Sequence, residues 1–129
     1  MPRPCVTTSA VVAALGVVRA AVGVVLILTP ERFVTHDGVA RQAVPSVALL
    51  ARTVGIRDVA LGLGTVVAAR GGQPADVRRW VRIGLVSDGG DVLAGLAAVP
   101  RLGTRAIPAA LIPVPVIAAD LLLLRRLGR

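Results

Sequence analysis

Four apolar runs, at about residues 8–28, 46–69, 77–99 and 106–124, take up most of this 129-residue chain. Each spans about 19–24 residues, and ~20 helical residues cross a bilayer core of ~30 Å. Backbone polar groups find no water in hydrocarbon, so runs of this length are expected as helices. The connecting stretches carry breakers: two prolines between residues 29 and 45, Gly-Gly-Gln-Pro at 71–74 and Pro-Arg-Leu-Gly at 100–103. The expected fold is all-α, a four-helix transmembrane bundle forming a single four-span domain over residues 1–129.

Composition agrees. Hydrophobic residues make up 55% of the chain and the mean hydropathy is +0.80, beyond an ordinary soluble domain of this size. Every basic residue is arginine, which rules out Schiff-base chemistry and the phosphate-binding lysine of a P-loop. One Cys (Cys5) and one His (His36) cannot assemble a zinc site or bis-histidine haem ligation within one chain. No metal and no cofactor is therefore expected. The net charge of +8 would suit nucleic acid only if the basic residues shared a face with interleaved aromatics. Here they flank apolar runs, the pattern of membrane topology. The expected partner is the lipid bilayer, not nucleic acid.

Counting arginines sets the orientation. With both termini on one side, that side holds Arg3, Arg70, Arg78, Arg79, Arg125, Arg126 and Arg129, and the opposite side Arg32, Arg41, Arg101 and Arg105. The richer side faces the cytoplasm, so a multi-pass protein of the cytoplasmic (inner) membrane with both termini inside is expected. The first run does not read as a signal peptide, because no Ala-x-Ala site follows and Arg19 interrupts it. Trp80 stands where an interfacial aromatic anchor belongs. Pro113 and Pro115 fall inside the fourth run, which predicts a kinked helix there.

Charges within the runs are costly, ~2.5–3.5 kcal/mol each on insertion scales, so they persist when paired or functional. Arg19, Arg52, Arg57 and Arg82 stand against Asp58, Asp88, Asp91 and Asp120. Helical projection puts Ala13, Gly16, Ala20 and Gly23 on one stripe, with Arg19 about 60° from Gly16. In the second run Ala48, Arg52, Gly55, Asp58 and Gly62 fall within an arc of about 120°. In the third, Gly84, Asp88, Asp91 and Gly95 recur at helical spacing. Small residues let membrane helices approach closely, so charges sharing those stripes face the bundle interior. Arg57 projects roughly 140° from Arg52 and serves another neighbour or snorkels.

Three functional readings follow. In the first, the Arg/Asp network holds the helices in register and nothing more. In the second it lines a pocket for a lipophilic small molecule. Asp58, Asp88 and Asp91 are then the candidate catalytic acids and bases, and Arg19, Arg52, Arg57 and Asp120 bind or orient the ligand. Two carboxylates in different surroundings can divide acid and base roles, which suits cofactor-free isomerisation, cyclisation or epoxide opening. The third is proton- or anion-coupled transport, although four-helix drug exporters place an acid where this chain has Arg19. Ser87 is expected to bond back to its own helix or to join the network. His36, beside Asp37, reads as solvated. The oligomeric state is not legible, and a homodimer is compatible with the sequence.

The stretch Ala51-Arg52-x-x-Gly55-Ile56-Arg57-Asp58-x-x-Leu61-Gly62, with Asp88-x-x-Asp91 in the third run, resembles a family of small four-helix bacterial integral membrane proteins known only as a domain of unknown function. A looser likeness to DoxX-like membrane proteins implies the same topology. The resemblance covers nearly the whole chain and implies four spans; it supplies neither activity nor cofactor.

Overall fold

The computed structural model describes residues 6–34, 44–104 and 106–127. Arg3, Cys5, His36, Asp37, Arg41, Arg105 and Arg129, used in the sequence argument, lie outside the described residues. Among those described the chain is helical and without strands: α1 (Val6–Leu28), α2 (Pro30–Val34), α3 (Val44–Gly71), α4 (Pro74–Leu102), α5 (Ala106–Leu111) and α6 (Val114–Leu127). The helices fall into two compact units, α1–α3 and α4–α6.

Two helices are long and apolar enough to cross a membrane, Thr8–Leu28 in α1 and Pro74–Leu102, the whole of α4. The second run does form one helix of 28 residues, but Arg52, Arg57 and Asp58 interrupt its apolar character. The fourth run breaks in two. Ile112 and Pro113 form a turn between α5 and α6, and the Ile117 amide donates to the Pro113 carbonyl at 3.0 Å. Instead of a kinked continuous helix, Pro113 therefore precedes α6 and Pro115 occupies its first turn. A first-turn amide has no partner within the helix, so proline there removes nothing.

In the first unit, α1 and α3 run antiparallel and touch backbone to backbone. A Cβ built on Gly16 would lie 2.7 Å from the Gly62 carbonyl oxygen, and one on Gly62 would lie 2.5 Å from that of Gly16. Gly23 and Gly55 repeat the reciprocal contact at 2.5 and 2.6 Å. Two glycines seven residues apart on each helix thus meet two on the other. The remaining faces of α1 are apolar and exposed, with Val17, Val18, Val22, Val25 and Leu28 pointing outward.

In the second unit α4 is stopped at both ends by local chemistry. Gln73 is the extended N-cap and Pro74 opens the helix, while Gly103 ends it at φ +77°, its amide donating to the Val99 carbonyl at 2.8 Å. α5 and α6 run back along α4. A Cβ on Gly95 would meet the Ala110 Cβ at 2.5 Å, and Arg78 Nη1 donates to the Leu127 carbonyl at 3.3 Å.

Candidate functional site

Between the two glycine contacts of the first unit lies its charge cluster. Asp58 sits on α3 midway from Gly55 to Gly62, and its Oδ1 accepts from Arg19 Nη2 at 3.3 Å and from Arg57 Nη2 at 3.2 Å. The Arg19 and Asp58 side chains are each 14% exposed. Glycines on both sides bring the helices close enough for a short aspartate to reach across to the neighbouring arginine. Arg57, whose neighbour the projection left open, bends back to its sequence neighbour Asp58.

Arg52 is not part of this cluster, contrary to its place on the same stripe. Its Nη2 pairs with Glu31 Oε1 at 3.0 Å, and its Nε donates to the Ile27 carbonyl at 3.3 Å. Six residues separate positions 52 and 58, about 9 Å along a helix, which sets Arg52 level with the end of α1. The last carbonyls of a helix lack internal partners and favour a cation. The wheel gave the direction of Arg52 correctly but not its level. Glu31 lies in a stretch where the sequence predicts only a connection. Thr29-Pro30-Glu31 was the available signal: a capping residue, a proline at the first helical position and an acid in the first turn. Pro30 is fully buried.

The second unit holds the other acids. Asp88 and Asp120 are buried, at 5% and 8% exposure, and Asp91 is half-buried. The contacts Gly95 to Ala110 and Arg78 to Leu127 set α5 and α6 antiparallel to α4. Gly84 is buried one turn before Asp88, as the small-residue stripe implied. Ser87 Oγ is buried without a hydrogen-bond partner among the described residues. It makes neither the back-bond to α4 nor the network contact expected of it.

Arg19, Arg57 and Asp58 are thus brought together, Arg52 is assigned to Glu31 and the end of α1, and Asp88, Asp91 and Asp120 belong to the α4–α6 unit. Among the described residues no group of three or more His, Cys, Asp or Glu side chains is placed to hold a metal ion. The Arg19–Asp58–Arg57 cluster is closed in by backbone contacts above and below, an arrangement suited to locking two helices. Comparison with known protein families, curated proteins and solved structures finds no match for this chain.

Proposed function

We propose that this chain is a polytopic protein of the cytoplasmic membrane that crosses it four times, with both termini inside. The observation that carries the reading is the reversal of the usual order of polarity. Val86, Ile112 and Leu28 are at least 70% exposed, whereas Asp88 and Asp120 are at most 8% exposed. Water would penalise apolar exposure of this kind, and hydrocarbon is the solvent that accepts it. In this reading the Arg19–Asp58–Arg57 cluster holds α1 and α3 in register. The carboxylates Asp88, Asp91 and Asp120 bind a lipophilic small molecule and transform it by proton transfer without a cofactor. Buried acids within a span are functional groups by default.

The first test is extraction and topology. The protein should require detergent to leave the membrane fraction, and a periplasm-dependent reporter should be active after residue 104 and inactive after residue 127. A monomer soluble without detergent overturns the reading. The second test is native mass spectrometry of the detergent-purified protein. A co-purifying lipophilic molecule should be lost in Asp88→Asn and Asp120→Asn and kept in Arg52→Ala.

A second reading, in which all the charges are structural, is favoured by the backbone-level closure around Asp58. It predicts that Asp88→Asn unfolds the protein as readily as Asp58→Asn, and that no molecule co-purifies.

A further inference from the structure

The N-terminal end of α4 and the C-terminal end of α6 meet, and both are basic. Arg78, Arg79 and Arg82 lie in the first turns of α4, and Arg125 and Arg126 in the last turn of α6. The Arg78 bond to the Leu127 carbonyl ties these ends together. Along α4, Arg82 lies ~4.5 Å further from this end than Arg79. Arg79, Arg82, Arg125 and Arg126 are exposed. Asp76 is the acid in the first turn of α4, so among the described residues five guanidiniums at this end stand against one carboxylate.

Further along α4 the surface turns apolar. Trp80 is half-buried beside Arg79, and exposed Ile83 and Val86 follow one and two turns further along α4. Guanidiniums and an indole in the first turns, then branched aliphatic side chains, match the headgroup and acyl layers of a leaflet. Arginine suits the outermost layer because its planar fork grips a phosphate through two parallel bonds, which lysine cannot do.

We infer that this end of the α4–α6 hairpin is a docking surface for an anionic phospholipid, its phosphate diester held between Arg79 and Arg126. The inference rests on the membrane reading above and deepens it by naming a partner. Trp80, the single tryptophan of the chain, supplies the probe. The full-length protein is reconstituted in phosphatidylcholine vesicles containing a minor fraction of phosphatidylglycerol, with bromine on the acyl chains of one lipid or the other. Quenching of Trp80 then gives the relative association of the two lipids.

Brominated phosphatidylglycerol should be preferred about 25-fold at low salt. The preference should fall about fivefold for each of Arg79→Gln and Arg126→Gln, the factor corresponding to ~1 kcal/mol per basic residue at an anionic surface. Both arginines are exposed, so the variants should keep wild-type helix content. Equal quenching by the two lipids overturns the docking surface and leaves the membrane reading standing. Absence of quenching by either lipid overturns the membrane reading. A preference that survives in the Arg79→Gln/Arg126→Gln double variant overturns the assignment to these residues.

Discussion

Alanine at Gly23 and at Gly90 should change stability in opposite directions, although both positions are helix interiors. Replacing glycine by alanine within a helix stabilises by ~1 kcal/mol when nothing else changes. Gly90 on α4 has no atom within 4 Å of its would-be Cβ, so Gly90→Ala should gain most of that amount. At Gly23 the added methyl would lie 2.5 Å from the Gly55 carbonyl oxygen and 2.8 Å from the Val59 amide nitrogen. Those are backbone atoms, which cannot swing aside. Restoring an ordinary contact of about 3.4 Å requires α1 and α3 to part by about 0.9 Å. A gap of that size forfeits a quarter to a half of the dispersion attraction across the contact. It also stretches the 3.3 Å Arg19–Asp58 pair one turn away. Overpacking of this kind costs ~1–3 kcal/mol, so after the ~1 kcal/mol helix gain the net expectation for Gly23→Ala is a loss of up to ~2 kcal/mol. Reversible unfolding in mixed micelles, followed by far-ultraviolet circular dichroism, resolves the difference, since 1.4 kcal/mol is tenfold in the equilibrium constant. The Gly23→Ala/Gly55→Ala pair should be markedly less costly than the two losses added, because the first methyl has already parted the helices. If Gly23→Ala and Gly90→Ala shift stability with the same sign, α1 and α3 do not meet at these glycines and the reasoning is wrong.

Asp58→Asn should destabilise by ~3 kcal/mol by leaving two guanidiniums facing a neutral group, and a cycle with Arg19→Gln should recover part of the loss in the double variant. Arg52→Ala, whose pair with Glu31 is about half exposed on both sides, should cost less than ~1 kcal/mol. Its effect on stability should shrink further in high salt, which a titration of unfolding midpoints measures. Pro115→Ala should shift the melting temperature little, because that amide has no bond to regain in the first turn, whereas Ala118→Pro in the interior of α6 should cost ~3 kcal/mol.

Much of the fold follows from residue type and spacing. The first three runs became helices within a few residues of their expected limits, because apolar length and helix breakers act locally. The glycine stripes of α1 and α3 were likewise legible, since 100° per residue fixes which side chains share a face. The charges were less so. A projection records direction around a helix but discards distance along it, and it does not say which helix lies opposite. Arg52 and Asp58 share a face and find different partners for that reason. Arg57 points away from Asp58 on the wheel and still reaches it, because a long flexible side chain is not confined to its own azimuth. α2 was hidden by its brevity, too short to show any period.

The order of apolar and polar segments thus determined that the described residues are helical and that Asp58 and Asp88 share faces with small residues. Which carboxylate each arginine meets was decided when α1 docked against α3 at Gly16–Gly62 and Gly23–Gly55. Ion pairing depends on the axial offset between two helices, and that offset is set by the few places where backbones can touch. Where Pro113 and Pro115 end up was a tertiary matter in the same way, because a proline can kink a helix or begin a new one. Here the run back along α4 takes up the break between α5 and α6.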